Sequence, residues 1–230
     1  AVEVVGSLLR RIAVAHGWQS VAVVTEPTRS TAELEAVDRF ARSLGVGAVS
    51  CLFEPQDWPL VAAEDSDGVS AITEANCVIV LGDPFFSHAV LAKDIIDAKY
   101  TARGNSLFVV DPRKSNTAWY ASEHVQNRPG SEALVLACIL KALRASGKIG
   151  SGTLPWLDAA DETSLLAAAG IGRDVVARMA RAYADGAKAA IVVAPAARAV
   201  HDVALVARLA RLIAGSCGDG KGCVLLPSGG

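Results

Sequence analysis

The chain lacks any long apolar run, although 52% of its 230 residues are hydrophobic. No stretch approaches the roughly 18 consecutive apolar residues that a membrane-spanning helix needs. A surface of one charge sign is missing too, because 22 basic and 24 acidic side chains leave a net charge of −2. This balance gives no field-driven attraction to nucleic acid or to an acidic membrane. We therefore expect neither nucleic-acid binding nor direct insertion into a membrane.

The cysteine pattern excludes several redox centres. There are five scattered cysteines, without a C-x-x-C pair or a set of four, so this chain alone cannot hold a standard iron–sulfur cluster. The odd number and irregular spacing argue against a disulfide framework and favour a reducing compartment. Cys77 and Cys138 lie in apolar patterns and are predicted to be buried. The C-x5-C spacing of Cys217 and Cys223 is a weak signal for a metal-binding pair, and this possibility stays open.

Sequence signatures of hydrolases and phosphate-binding loops are also missing. The chain has no G-x-S-x-G elbow and no H-x-x-x-H pair; its histidines are His16, His88, His124 and His201. Gly45-Val46-Gly47 lacks the third glycine of a dinucleotide fingerprint. Gly218–Gly222 contains a lysine but lacks the Ser or Thr that follows it in a P-loop. We interpret both glycine clusters as tight turns.

What the chain does contain is a regular alternation of strand and helix patterns. The predicted strands are 20–25, 48–52, 77–81, 107–110, 124–127 and 189–194, with a last apolar run at 223–226. The predicted helices are 8–15, 34–44, 87–102, 131–146, 163–169, 173–184 and 200–214. Strands separated by helices predict right-handed crossovers and an α/β fold with a mostly parallel sheet. Runs such as VIVL and IVVA do not alternate, which fits strands buried on both faces.

Two polar, Pro-bearing turns follow predicted strands at 107–110 and 124–127. Asp111 begins the first turn, where a carboxylate can accept hydrogen bonds from a ribose hydroxyl or a guanine edge. Arg113 and Lys114 follow it and can meet a phosphate. Glu132 lies at the start of a predicted helix, where a carboxylate also complements the helix dipole. Ligand binding and plain turn-and-cap chemistry are both open for these residues.

Three short motifs follow one another along this chain in the same order as in one family of redox proteins. They are Leu81-Gly82-Asp83-Pro84, Asp111-Pro112-Arg113-Lys114-Ser115 and Arg128-Pro129-Gly130-Ser131-Glu132. Their flanks match too, with HGWQSVAVVT before them and AAGIGRDVVARMARAYADGAKAAIVVAP and LARLIAGSCGDGKGCVLLP after them. These segments resemble the molybdopterin oxidoreductase family, which includes formate dehydrogenases, nitrate reductases and the G subunit of NADH-quinone oxidoreductase (complex I).

The resemblance implies two interleaved Rossmann-like lobes with mostly parallel sheets. One lobe would comprise residues 1–68 plus 151–230, and the other, 69–150, would be inserted between its halves. In family members that bind molybdopterin guanine dinucleotide, the matching positions line the nucleotide. Carried over to this chain, the candidate cofactor-binding residues are Gly82, Asp83, Asp111, Arg113, Ser115, Arg128, Gly130, Ser131 and Glu132.

The chain departs from the family pattern at three places. Asp83 alone replaces the Ser-Asn pair before the proline, and Glu132 replaces the usual Asp that reads the guanine edge. Active members also carry a metal-ligating Cys, selenocysteine or Ser near the segment that corresponds to Ser50–Gln56. Here Cys51 comes too early and has no His after it. Without that ligand the metal cannot be held in its working coordination, so no catalytic residue and no metal ligand is predicted.

We therefore expect this chain to be part of an oxidoreductase, with a largely structural role of its own. It is most like the G subunit of complex I, the enzyme that transfers electrons from NADH to quinone. This hypothesis implies no cofactor in this chain and iron–sulfur clusters upstream of it. It also implies partner subunits in a redox complex, which would hold a cytoplasmic protein at the inner face of the cell membrane. The missing initiating Met and the end at Gly230 lead us to expect a piece of a longer protein.

Two other hypotheses remain open. The chain could be the cofactor-binding part of a molybdenum or tungsten enzyme, such as a formate or formylmethanofuran dehydrogenase, with molybdopterin guanine dinucleotide bound. Alternatively, it could be an unrelated Rossmann-like nucleotide-binding domain.

Overall fold

The computed structural model describes residues 2–25, 30–46, 48–51, 66–149, 155–194 and 202–226. Residues 52–65, His201 and the side chain of Cys51 lie outside the described residues. The chain divides into two compact units, one within Ala1–Pro55 and the other within Gln56–Gly229. Among the described residues, no helix has both the length and the apolar character to cross a membrane.

The first unit is a small α/β element. Its helices and strands are Val2–His16, a 3-10 turn Trp18–Ser20, strand β1 (Ala22–Thr25), Thr31–Leu44 and strand β2 (Ala48–Cys51). The two strands are parallel, with Ala22 opposite Ala48. The helix at Thr31 begins with a capping box, in which Ser30 Oγ accepts from Glu33 N at 3.3 Å and the Glu33 carboxylate accepts from Ser30 N at 3.0 Å. Gly45 ends this helix in a left-handed conformation with a φ of 66°.

The second unit contains a five-stranded, fully parallel sheet. Its strands are β3 (Cys77–Gly82), β4 (Ser106–Val110), β5 (Glu123–Val125), β6 (Ala189–Ala194) and β7 (Lys221–Leu225). They lie in the order β5-β4-β3-β6-β7. The chain starts in the middle of the sheet, extends to one edge and then returns to build the other. This is the doubly wound arrangement, and it confirms the predicted α/β class with parallel sheets.

Helices cover both faces of this sheet. They are Ser70–Thr73, Pro84–Ser87, Leu91–Tyr100, Asn116–Trp119, Glu132–Ala145, Pro155–Ala159, Glu162–Ala169, Arg173–Asp185 and Val203–Ser216. The predicted single helix 87–102 is two helices in the structure. Proline at the first helical position starts the earlier one at Pro84. The non-helical backbone of His88, with φ −138° and ψ 61°, then interrupts the run.

Alternate side chains of each strand enter two separate hydrophobic cores, as the pleat requires. Ile79 and Leu81 pack into the larger core, which the helices Glu132–Ala145, Arg173–Asp185 and Val203–Ser216 cover. Val78 and Val80 pack into the smaller core, against Leu91–Tyr100 and neighbouring residues. All six residues of β3 are buried, which explains why its sequence does not alternate.

The sheet crosses the lobe boundary that the sequence predicted near residue 150. β3 pairs with β6 over six residues, from Cys77 opposite Ala189 to Gly82 opposite Ala194. Strands of the predicted 69–150 lobe and of the 151–230 half therefore share one sheet and one pair of cores. This differs from the predicted interleaving of 1–68 plus 151–230 around 69–150. The physical reason is that VIVL and IVVA are both central strands, whose hydrophobic runs do not reveal which strand lies beside them.

The glycine-rich loop before β7 has a structural role. Lys221 Nζ donates to the carbonyl oxygens of Tyr183, at 2.7 Å, and of Gly186. Its ammonium thus lies at the C-terminal end of helix Arg173–Asp185, where a positive charge is favourable. Partial burial lowers the pKa of Lys221. Lys221, the lysine of the Gly218–Gly222 cluster, therefore has its hydrogen-bond partners within the fold.

Candidate functional site

The predicted site residues lie at the carboxyl edge of the five-stranded sheet. Gly82 ends β3 with a φ of 96°, and Asp83 follows it. Asp111 follows β4, and the segment from Gln126 to Glu132 follows β5. In doubly wound sheets, ligands bind at this edge, near the point where the strand order reverses. That point here is between β3 and β6.

A first hydrogen-bond network links the turn after β3 to the turn after β4. Asp83 Oδ1 accepts from the hydroxyl of Thr117 at 2.5 Å and from its backbone N–H at 3.3 Å. The Thr117 hydroxyl oxygen accepts from Phe85 N at 3.2 Å. Ser115 caps the short helix Asn116–Trp119 by accepting from Ala118 N at 3.3 Å. Asp83 and Ser115 thus shape these two turns.

Asp111 is a buried carboxylate with one satisfied oxygen. Its side chain is 1% exposed. Oδ1 accepts from Arg113 N at 2.7 Å and lies 3.8 Å from Arg113 Nε. Oδ2 is buried and has no hydrogen-bond partner among the described residues. The ring of His124 donates through Nε2 to the Asp111 carbonyl oxygen at 2.9 Å and holds this turn against β5.

A second network occupies the turn after β5. Asn127 Nδ2 donates to Arg128 O at 2.9 Å, to Ser131 Oγ at 3.1 Å and to Glu132 Oε1 at 3.4 Å. Ser131 Oγ donates to Arg128 O at 2.6 Å. All the donors of the Asn127 amide group and the Ser131 hydroxyl are therefore directed into the protein. The acceptors left over are Asn127 Oδ1 and Glu132 Oε2, both buried and unpartnered among the described residues.

Within the part of the chain that the structure describes, three buried oxygen acceptors thus lie unpartnered on adjacent turns. We call Asp111, Asn127 and Glu132 the acceptor cluster. Native proteins rarely leave buried polar atoms unsatisfied, because each costs about 1–3 kcal/mol. Carboxylate and amide oxygens only accept hydrogen bonds, so the complementary ligand must present N–H or O–H donors. The acceptor cluster therefore has the chemistry of a ligand site.

Burial also changes the protonation of Glu132. Removal from water raises the pKa of its carboxyl group, and the nearby charge of Asp111 raises it further. Backbone N–H groups and the Asn127 amide act in the opposite direction but are weaker than the burial effect. In the folded protein the ionised form of Glu132 is therefore disfavoured relative to the unfolded chain.

We expect Glu132→Gln to stabilise the ligand-free protein at neutral pH, by about 1 kcal/mol for one relieved buried acceptor. Because the pKa of Glu132 is raised in the folded state, this side chain contributes stability to the wild type at low pH. That stability is fully present below the pKa of the unfolded chain and is lost as pH rises through the pKa of the folded protein. The variant should therefore be more stable at pH 7.5, and its advantage should disappear near pH 4. Urea denaturation at both pH values measures this difference.

Glu123→Gln is the matched control. The hydrogen bond from Arg178 lowers the pKa of Glu123, so this carboxylate stabilises the folded state above its unfolded pKa. Its replacement should destabilise the protein at pH 7.5 and have little effect in acid. If both variants shift stability in the same direction at pH 7.5, the assignment of Glu132 as a destabilising buried charge is wrong.

Two arginines lie beside the acceptor cluster. The Arg113 side chain is 71% exposed. Arg128 N donates to Ala169 O at 2.9 Å, and the stem of its exposed side chain lies against Gly170. A Cβ at Gly170 would come within 2.8 Å of Arg128 Cγ, so glycine at 170 is what allows this position. Gly130, with a φ of 79°, turns the backbone between Arg128 and Ser131.

The buried thiols have no reactive character. Burial raises the pKa of Cys77 and Cys138 to about 11 and that of Cys223 to about 12, so these thiols stay protonated at neutral pH. Cys77 and Cys138 are buried, as predicted. Within the described ranges, no group of three or more His, Cys, Asp or Glu side chains is placed to hold a metal ion.

Sequence reasoning missed three residues that organise the site. Asn127 was included in a predicted strand, but β5 ends at Val125 and leaves Asn127 free to join the two turns. Thr117 belongs to no recognised motif, although it holds Asp83. Gly170 is one position within a longer matching segment. The signal for Asn127 was a polar side chain directly before Arg-Pro-Gly, where a strand gives way to a turn.

Comparisons with known proteins support the molybdopterin-type resemblance. Nitrate reductase of Klebsiella oxytoca is 28% identical over 174 residues, covering 65% of this chain and 18% of that protein. The F420-dependent formate dehydrogenase 1 subunit alpha of Methanococcus maripaludis is 32% identical over 79 residues, covering 34% of this chain and 11% of that protein. Formate dehydrogenase H of Escherichia coli is 31% identical over 110 residues, covering 44% and 15%. The chain thus spans less than a fifth of these relatives, all of which are oxidoreductases by name.

Solved structures support the fold. Acetylene hydratase from Pelobacter acetylenicus has a TM-score of 0.56 at 15% identity, covering 93% of this chain and 32% of that one. A chain of the formyltransferase/hydrolase complex of Methylorubrum extorquens has a TM-score of 0.52 at 14% identity, covering 97% and 58%. A scan against protein-family models gives no match.

These relatives support the family resemblance but not the finer assignment to the G subunit of complex I. They include formate dehydrogenases, which the sequence hypothesis named as an example of a molybdenum or tungsten enzyme, and a nitrate reductase. Of the alternatives drawn from the sequence, the molybdenum or tungsten enzyme is therefore the better supported.

Proposed function

We propose that the chain is the nucleotide-holding part of a molybdopterin-dependent oxidoreductase of formate dehydrogenase or nitrate reductase type. The observation that carries the proposal is the acceptor cluster, with Asp111 Oδ2, Asn127 Oδ1 and Glu132 Oε2 all buried and unpartnered among the described residues. The cluster lies in the turns after β4 and β5, at the carboxyl edge of the sheet, which is the edge where doubly wound folds bind ligands.

The residues present fit the guanine dinucleotide form of the pterin cofactor. A guanine edge offers N–H donors, and the three oxygens of the acceptor cluster only accept. Ribose hydroxyls are also suitable partners for a carboxylate in this position. Arg113 and Arg128 provide exposed guanidinium groups, which pair with phosphate in a bidentate manner. Gly82 and Gly130, both with positive φ, shape the turns beside these groups.

Each side chain would contribute binding and positioning rather than reaction chemistry. The acceptor cluster would orient the base, the arginines would neutralise phosphate charge, and the Asp83–Thr117 network would hold the two turns in place. The cofactor, when bound, supplies the molybdenum or tungsten at which electron transfer to or from a substrate takes place. The other subunits of such an enzyme are the partners implied by the proposal.

A largely structural role, like that of the G subunit of complex I, is the second candidate. It is favoured by one observation, the absence of a family-type metal ligand in the sequence Ser50–Gln56. The two candidates predict different cofactor contents for the full-length protein.

Metal and nucleotide analysis of the full-length protein separates these candidates. The proposal predicts molybdenum or tungsten near one equivalent per protein molecule, pterin fluorescence, and GMP released by acid hydrolysis. Protein that is folded and isolated from its native source but contains neither metal nor pterin would favour the structural role. Metal with pterin but without guanine nucleotide would contradict the assigned role of the acceptor cluster.

A further inference from the structure

Several large aromatic side chains of the second unit are exposed. The chain has only five Phe, four Trp and three Tyr. Phe86, Tyr100, Trp119 and Tyr120 are exposed by 81%, 64%, 67% and 43%. With Phe85 they make up five of the twelve aromatic residues. We call these five residues the aromatic patch.

Contacts link four of the five residues of the aromatic patch, namely Phe85, Tyr100, Trp119 and Tyr120. The rings of Phe85 and Tyr120 are 5.7 Å apart between centroids. Phe85, Trp119 and Tyr120 line a single open cavity of about 570 Å³. Lys99 Nζ lies 4.8 Å from the centre of the Tyr100 ring and also donates to the Tyr120 carbonyl oxygen. Phe86 follows Phe85 on the same helical turn.

Two lysines lie against rings of the aromatic patch. Lys114 Nζ lies 4.4 Å from the centre of the Trp119 ring. Neither Lys99 nor Lys114 has a carboxylate partner among the described residues. Between residues 84 and 122 there are five basic and three acidic side chains, and one of the acidic ones, Asp111, is buried. The whole chain, in contrast, has a net charge of −2.

We propose that the aromatic patch is the docking surface for another protein subunit, which presents an apolar surface bordered by carboxylates. Exposed Trp and Tyr with long apolar area are the residues that dominate binding energy at protein interfaces. Lys99 and Lys114, which have no carboxylate partner among the described residues, favour an acidic rim on the partner, because opposite charges give specificity and fast association. A solvent-facing role alone leaves four large exposed rings unexplained.

The position of the patch brings this partner next to the candidate site. Helix Asn116–Trp119 carries both Trp119, which belongs to the patch, and Thr117, which holds Asp83. A subunit docked on the patch would therefore contact the turns after β3 and β4 directly. The inference does not depend on which cofactor the acceptor cluster binds.

Zero-length carbodiimide cross-linking of the full-length protein, isolated with its natural partners, tests the proposal. This reagent joins a lysine to a carboxylate only when the two are in direct contact. The expected result is a link from Lys99 or Lys114 to an Asp or Glu of a different polypeptide. Three results would overturn the proposal. The first is cross-links only within the same polypeptide, and the second is cross-links between two copies, which mixing isotope-labelled and unlabelled protein identifies. The third is that both lysines remain accessible to acetylation in the complex.

Variants give an independent measure. We expect Trp119→Ala combined with Phe86→Ala to weaken binding of the cross-linked subunit by about 30-fold or more, the effect of losing one interface hot spot. Lys114→Glu should slow association, and more so at low salt. Trp156→Ala is the matched control, since Trp156 is 43% exposed on helix Pro155–Ala159, which packs on the opposite face of the sheet. Equal loss of binding in this control would also contradict the proposal.

Discussion

Asp111→Asn is expected to lower the retention of guanine nucleotide by about 100-fold and, at the same time, to raise the free energy of unfolding of ligand-free protein by about 1 kcal/mol. The nucleotide is lost because an amide N–H2 would replace the acceptor Oδ2 and face the donors of the base. Stability rises because a neutral amide replaces a buried carboxylate that has one unpartnered oxygen among the described residues, while Oδ1 keeps its bond from Arg113 N.

Opposite changes in binding and stability are the mark of a site that is incomplete without its ligand. Guanine nucleotide content after gel filtration and urea denaturation measure the two effects in one preparation. Asp161→Asn is the control, because Asp161 caps helix Glu162–Ala169 by accepting from Ser164 N and from Ser164 Oγ, both at 2.8 Å. This control should leave nucleotide retention unchanged. If Asp111→Asn instead loses stability by more than about 2 kcal/mol, Asp111 belongs to a buried structural network and not to a ligand site.

Ile79→Ala is expected to destabilise the second unit by about 3 kcal/mol, within the range for deleting a buried Ile side chain. Ile79 is fully buried at the centre of β3, opposite Phe108 of β4 and Ile191 of β6. Because both neighbours lose packing, amide hydrogen exchange should become faster in β4 and in β6 together. Urea denaturation and exchange mass spectrometry on the same variant measure these effects.

This variant also tests the division of the chain. If residues 69–150 formed a lobe separate from 151–230, as the sequence predicted, the amides of β6 would keep their wild-type protection. Val24→Ala in β1 serves as a control, because Val24 is 55% exposed and its replacement should cost less than about 0.5 kcal/mol. Unchanged exchange in β6 of Ile79→Ala would contradict the sheet order β5-β4-β3-β6-β7.

Local features of the fold could be predicted because short-range physics determines them. The capping box at Ser30 and Glu33 depends on residues three apart, and the strand Ala189–Ala194 is a continuous apolar run. Partnership between distant strands could not be predicted in the same way. Hydrophobic runs such as VIVL record that a strand is buried on both faces, but not that β6, more than 100 residues later, lies beside it.

The candidate site was predictable only in part for a similar reason. The turns after β4 and β5 could be recognised from Asp-Pro-Arg and Arg-Pro-Gly. The unpartnered state of Asp111, Asn127 and Glu132 could not, since it depends on which donors the folded chain directs away from them. The role of Asn127 follows from the structure, in which its Nδ2 donates to acceptors of Arg128, Ser131 and Glu132.

The aromatic patch illustrates another limit of sequence reasoning. Phe85 and Phe86 are separated by about thirty positions from Trp119 and Tyr120, and their meeting depends on the contact between two four-residue helices. Aromatic residues in apolar surroundings are usually core residues, so their sequence pattern does not indicate exposure. Only the folded arrangement shows that four of the rings are exposed.

Calorimetric titration of the cofactor-free, full-length protein with GDP and with ADP tests the central claim most directly. The acceptor cluster can bind the adjacent N1–H and N2–H2 donors of guanine, whereas the corresponding edge of adenine has only the N6 amino group as donor and presents N1 as an acceptor, which the cluster cannot satisfy. We expect GDP to bind at least about 100-fold more tightly than ADP, a difference of about 2.7 kcal/mol. Equal affinity for the two nucleotides, or no binding of GDP at millimolar concentration, would contradict the account.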